Sequence, residues 1–228
     1  MNYAPTPNSS NIRTIEAEAF NRLPALHDAH RNLVASGHLQ LAKSVLQPIF
    51  EKFDAGEHWG LALLHRHWDL LADEAAVQRP IESEANTVYV LSPEPLGRRG
   101  YPSIIGVCGG ELRAFEVTQG NHGVAAAAFL EKHPAFLAEV TSVLVAHGLQ
   151  RTFGIIALGR SAPAGYEFVE DTTDDRASVV RTVRIGTYPE AQLTETAWSI
   201  GTGATALACK SKCFNRGTDH PQYHDPNG

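Results

Sequence analysis

Only three cysteines are scattered through the 228 residues. So few thiols exclude a disulfide-framed secreted module and suit a reducing compartment. No uncharged apolar stretch reaches the length of about eighteen residues that a membrane-spanning helix needs. Basic residues are in deficit, 19 against 25 acidic ones, for a net charge of −6 with eleven histidines counted neutral. A chain built to grip nucleic-acid phosphates leans the other way, so neither nucleic acid nor a membrane is an expected partner. The first eleven residues are polar, carry Pro5 and Pro7 and contain no apolar signal core. They read as a flexible lead, and the expected location is cytoplasmic.

What is present is a chain 43% hydrophobic and 19% charged, which is apolar enough to fill a core and too apolar for a disordered segment. Leu26, Ala29, Leu33 and Val34 share one helical face, with Gly37 as the stop. Ala42, Val45, Leu46, Ile49, Phe50 and Phe53 keep a second helical register, which Pro48 should kink or break. Strand-like runs follow at Val88–Leu91, Ser103–Cys108, Glu111–Thr118, Phe153–Leu158, Tyr166–Glu170, Ser178–Ile185 and Leu193–Ile200. Gly109-Gly110 is a two-residue hairpin signal, and the polar run Thr172–Asp175 suggests a second hairpin. Between the strands lies one long helical stretch. Pro134 opens its second part, and His147 and Gly148 close it. The expected fold is α+β: N-terminal helices, then a mainly antiparallel sheet with one long helical insertion. The expected division is a lead over 1–11, a single α+β domain over 12–204 and a Cys/His tail over 205–228.

Six of the eleven histidines fall between His27 and His67. The densest stretch runs from His58 to Leu70, and its meaning depends on the backbone. On a helix, residues two apart diverge by about 200°. On a strand they point the same way, so His65 and His67 become a two-imidazole clamp for zinc, copper, iron or nickel. Gly60 before the segment and Ala72-Asp73-Glu74 after it favour a strand, which places Leu61, Leu63, His65, His67 and Asp69 on one face. Asp69 or Glu74 is then a third ligand or a general base. The pair resembles the metal motif of cupins. Six residues separate His67 from Glu74, however, and no second cupin motif is present, so the chain is not read as a cupin. The alternative is a pair of satisfied histidines on a half-exposed sheet face.

The tail offers a second metal candidate. Cys209, Cys213, His220 and His224 follow a C-x3-C-x6-H-x3-H pattern, a ligand set that suits tetrahedral zinc if Thr205 to Cys213 is helical. A disordered tail, or separate sites for the two pairs, are the competing readings. The patch Leu63-Leu64-His65-Arg66-His67-Trp68, the run His147-Gly148-Leu149 followed by Phe153-Gly154, and the Cys/His tail together resemble a group of small fungal proteins of uncharacterised activity. That resemblance implies no reaction or ligand. It implies that the three patches belong together.

Other features weigh less. Cys108 with His122 is a possible thiol–imidazole pair, but a buried hairpin cysteine is the plainer reading. Gly201-Thr202-Gly203 is too short to mark an anion cradle. His27 and His30 lie one helical turn apart and read as exposed, Asp171, Asp174 and Asp175 as a solvated turn, Trp59 and Trp68 as core. The leading expectation is a zinc or other transition-metal protein, extending to a metal-dependent enzyme that acts on a small molecule through His65 and His67. One alternative is a non-catalytic binding protein with a structural zinc held by Cys209, Cys213, His220 and His224. Another is a metal-free enzyme whose histidines act as acid and base on a small substrate.

Overall fold

The computed structural model describes residues 12–81, 87–97, 100–159, 162–173, 175–189, 193–200 and 212–214. Apolar residues at helical spacing build α1 (Ala17–Phe20), α2 (Leu26–Ser36), α3 (His38–Phe53), α4 (Asn121–Lys132) and α5 (Pro134–Ala146). Gly37 ends α2 at φ 65°, a left-handed conformation that a side chain would strain. Pro48 does not break α3. It sits on the exposed face of the helix, away from the core.

The strands are β1 (Arg13–Thr14), β2 (Trp59–Leu63), β3 (Glu74–Pro80), β4 (Thr87–Pro95), β5 (Tyr101–Cys108), β6 (Glu111–Thr118), β7 (Phe153–Ala157), β8 (Tyr166–Thr173), β9 (Ala177–Arg184), β10 (Leu193–Glu195), β11 (Ala197–Ser199) and β12 (Lys212–Phe214). They form one sheet in the order β10-β12-β8-β9-β4-β3-β6-β5-β7-β2-β11, with β1 beside β6. Most pairs are antiparallel; β1–β6, β3–β6 and β8–β12 are parallel. The fold is α+β. Gly109 and Gly110, both at positive φ, make the tight turn between β5 and β6 that the sequence signals.

The run Leu193–Ile200, expected as one strand, is split at Thr196, and the split closes the sheet. β10 pairs with β12 at one end of the strand order, and β11 pairs with β2 at the other. Because β10 and β11 are consecutive in the chain, the two ends meet at Thr196, whose carbonyl accepts a hydrogen bond from Leu63 N at 2.8 Å. The curled sheet therefore has an inside and an outside. Outward residues of β2, β5 and β7 (Leu61, Leu63, Ile105, Phe153, Ile155) pack on Leu46, Phe50, Phe136, Leu137 and Val140 of the helices. Inward residues Ala76, Leu91 and Phe115 meet Leu64, Trp68 and Leu70 from the segment after β2, with Ile15 and Phe20 from the N-terminal segment.

That segment corrects the expected strand. Pairing stops at Leu63, and residues 64–70 turn into the barrel, burying Leu64, His67, Trp68 and Leu70. Leu64 is the pivot. It settles over two glycines: a Cβ on Gly106 would lie 3.3 Å from Leu64 Cδ1, and one on Gly154 would lie 3.1 Å from Leu64 Cδ2. Gly154 is the stricter of the two, because its Cβ would also come within 2.5 Å of the Ile105 carbonyl oxygen, a backbone atom held by the β5–β7 ladder. Gly154→Ala is expected to cost about 3 kcal/mol, as overpacking against a fixed neighbour does. A fall in the urea unfolding midpoint measures it; a midpoint within error of the parent's would show that β5 and β7 can part.

A bulge sets up the interior. Ile104 lies opposite Glu116 and Ile105 opposite Ala114, so Phe115 is the extra residue on β6. Past a bulge the in–out alternation reverses. Phe115 packs inward, while Ala114 and Val117 pack outward on Ala75 and Val77. Glu116 is thereby turned to the same side as Phe115. Among the described residues no helix is long and apolar enough to cross a membrane.

Candidate functional site

The segment that enters the barrel carries both histidines singled out in the sequence. Their rings lie 4.7 Å apart, edge to face. His65 Nδ1 is 3.0 Å from the Leu63 carbonyl, which only accepts, so that nitrogen carries the proton. Burial, and then the neighbouring His67, lower the His65 pKa to about 4, and the ring is neutral at pH 7. His67 is held more tightly. Its Nε2 lies 3.3 Å from Glu170 Oε1, and its Nδ1 lies 3.3 Å from Thr172 Oγ1. Thr172 Oγ1 in turn lies 2.9 Å from Ser178 Oγ. With the carboxylate ionised, His67 Nε2–H donates to Glu170; in the neutral ring Nδ1 then accepts from Thr172, which accepts from Ser178. All four residues are buried, on strands β8 and β9 and on the inserted segment.

Asp69 and Glu74, the expected third ligand or base, are engaged elsewhere. Asp69 pairs with Arg66 at 2.9 Å, and its carbonyl accepts from Arg176 at 2.5 Å. Glu74 accepts from Arg176 at 2.6 Å and from Leu71 N at 2.8 Å. Burial pushes the Glu74 carboxyl up, and these hydrogen bonds more than reverse it. The Glu74 carboxylate and the Asp69 carbonyl, through Arg176, tie the inserted segment to the β8–β9 turn, while the Asp69 carboxylate is held by Arg66. The carboxylate that meets His67 is Glu170. Among the described residues no group of three or more His, Cys, Asp or Glu side chains is arranged to hold a metal ion. Cys209, His220 and His224 lie outside the described residues. Cys213 falls in β12, where its backbone is paired with Thr194 and Glu170, so this part of the tail is strand rather than the expected helix.

Beside the His67–Glu170 pair lies a cavity of about 40 Å³, lined on its polar side by Gln78, Tyr89, Ser103, Glu116 and His122 and closed by Ile156, Phe168 and Val180. Val180 is the cross-strand partner of Glu170, which places the cavity next to the hydrogen-bonded chain. Three of its polar atoms, Gln78 Oε1, Ser103 Oγ and His122 Nδ1, are buried with no hydrogen-bond partner among the described residues. Ser103 is 2% exposed. An orphaned buried polar group costs about 1–3 kcal/mol, so three at one cavity call for a hydrogen-bonding occupant.

The titration of the walls is unusual. Glu116 has its pKa raised to about 8 by burial and then by the Glu170 carboxylate, so it is predominantly the neutral acid at pH 7. His122, in the first turn of α4, is lowered to about 4 by burial, and its ring packs edge-on against Tyr89 at 4.8 Å. Gly120 makes room for it: a Cβ there would sit 2.7 Å from the imidazole. A carboxylic acid and a neutral imidazole thus line one enclosed space.

Of the lesser candidates, Trp59 and Trp68 are buried core as expected. Cys108 packs against the interior cluster, Asp171 faces Arg181 and Asp175 takes the Thr173 hydroxyl; Asp174 and Gly201–Gly203 lie outside the described residues. Gln78, Ser103, Glu116 and Glu170 were not anticipated. The available signal was an acidic residue inside an apolar strand, in Ala114-Phe115-Glu116-Val117 and in Phe168-Val169-Glu170. No family model, curated protein or solved structure matches this chain.

Proposed function

We propose that this chain binds a small polar molecule inside its curled sheet, in the cavity between Gln78, Ser103, Glu116 and His122, and that the chemistry served there is proton transfer at the bound molecule. One observation carries the reading: three buried polar atoms with no hydrogen-bond partner among the described residues belong to side chains that line the same cavity. A ligand with hydrogen-bonding groups satisfies them together. Glu116, with a pKa near 8, exchanges its proton close to neutral pH and is matched to act as acid or base at the bound molecule, and neutral His122 accepts or relays a proton. Burial keeps Glu116 protonated, and the Ser178–Thr172–His67–Glu170 chain behind the cavity holds the Glu170 charge that adds to it.

The test is a set of small probes at millimolar concentration: urea, acetamide, methylammonium and guanidinium. At least one is expected to move the ring resonances of His122 and to raise the melting temperature of the parent protein. The same probe should do neither in Ser103→Val, which fills the cavity. Equal responses in parent and variant, or no response to any probe, would overturn the reading. Should Ser103→Val not fold, His122→Phe replaces it, with melting temperature as the readout.

A further inference from the structure

We infer that the molecule selected by the Glu116 cavity is a small organic cation, a primary ammonium or an amidinium, and that it binds against the Glu116 carboxylate. This rests on the cavity reading above and names its ligand class.

The walls argue it by what they offer. Among the described residues no lysine or arginine lines the cavity. Gln78 Oε1 is an acceptor and Ser103 Oγ accepts readily; neither has a hydrogen-bond partner among the described residues, and Ser103 is fully buried. An N–H-rich cation supplies the donors these atoms lack. Tyr89 and Phe168 add two aromatic rings, which attract cations over their faces. The charged and titratable groups around Glu116 are consistent in sign. Glu170 on β8 is a second carboxylate. His122 on α4 and His65 on the inserted segment are held neutral by burial, Tyr89 on β4 contributes a phenol, and His67 is already engaged with Glu170. Among the described residues the interior therefore has acidic charge available and no lysine or arginine at Glu116.

A bound cation changes which form of Glu116 is stable. In the free protein at neutral pH its carboxyl holds a proton. The incoming cation favours the carboxylate, and the proton is released to solvent. Affinity should therefore rise about tenfold per pH unit below the Glu116 midpoint and level off above it.

Matched pairs test this: methylammonium against methanol, and guanidinium against urea, all at millimolar concentration. The cations are expected to shift the His122 ring resonances with an affinity that climbs between about pH 6 and pH 8. Glu116→Gln should lose the cation preference while still admitting urea. If urea and methanol bind as well as their charged counterparts, or Glu116→Gln binds the cations unchanged, the cation inference fails and the cavity reading stands. If none of the four perturbs His122, the cavity reading itself fails. Should Glu116→Gln not fold, the pH profile of the parent decides: cation affinity independent of pH overturns the inference.

Discussion

Raising the pH from about 5 to about 8.5 is expected to strip roughly 4 kcal/mol of stability from the protein through one side chain, Glu116, and Glu116→Gln is expected to remove that loss. The ordinary glutamate value is 4.5, and in the folded protein Glu116 is raised to about 8. Below pH 4.5 the carboxyl is protonated folded or unfolded, and its contribution is fully present. Between 4.5 and 8 the unfolded chain gives up the proton while the folded chain keeps it. The unfolded state binds fewer protons, so stability falls as pH rises. Above about 8 both forms are ionised and the slope vanishes. At 1.36 kcal/mol per unit the full gap is roughly 5 kcal/mol, and the interval to pH 8.5 captures most of it.

His122 works in the opposite direction. Its folded value is lowered to about 4 against 6.5, so its contribution is present above pH 6.5 and is lost as the pH falls towards 4. His65 adds a limb of the same sign. Together these groups give a stability curve that peaks near pH 6 and falls on both sides. Urea unfolding at a series of pH values measures it. In Glu116→Gln the alkaline limb should flatten while the acid limb stays. An alkaline limb of unchanged slope in that variant would mean that Glu116 is not buried as described.

The curve also bears on how far the sequence could be read. The α+β class was legible because it rests on local signals: helical spacing at Leu26–Val34 and Ala42–Phe53, Gly109-Gly110 between two β runs, and Pro134 at a first turn. The curling of the sheet was not legible, because it depends on Leu193–Glu195 and Ala197–Ser199 pairing with strands distant in sequence. His65 and His67 were found because of their spacing. Their setting was missed because the strand ends at Leu63, and nothing local announces that Gly106 and Gly154 form a seat for Leu64. Glu116 points inward only because Phe115 is bulged. Alternation alone would have placed Glu116 on the face of Ala114 and Phe115 on the opposite one. Asp69 and Glu74 were near in sequence, but Arg66 and Arg176 take them, while the carboxylate that meets His67 comes from more than a hundred residues away. Sequence proximity selects helix-turn neighbours well and barrel-interior neighbours badly.

His67→Leu is expected to cost about 3–5 kcal/mol, and His65→Leu no more than about 1 kcal/mol. The two rings touch, so the difference must come from what each one holds. His65 is neutral, and its Nδ1–H donates to the Leu63 carbonyl two residues away. Leucine keeps its apolar contacts and gives up that local bond. His67 bridges the inserted segment to β8: its removal takes an N–H donor from the buried Glu170 carboxylate and an acceptor from the Thr172 hydroxyl. Both losses fall in a region closed to solvent, where an unmatched charge is expensive. Replacing both partners is expected to recover much of the loss. The double variant His67→Leu/Glu170→Leu should therefore be more stable than the sum of its single changes by about 2 kcal/mol. Two histidines acting as equal members of a clamp would instead cost alike. Equal losses in the two single variants, or strict additivity in the double variant, would show that the His67–Glu170 bridge does not anchor the segment that fills the barrel.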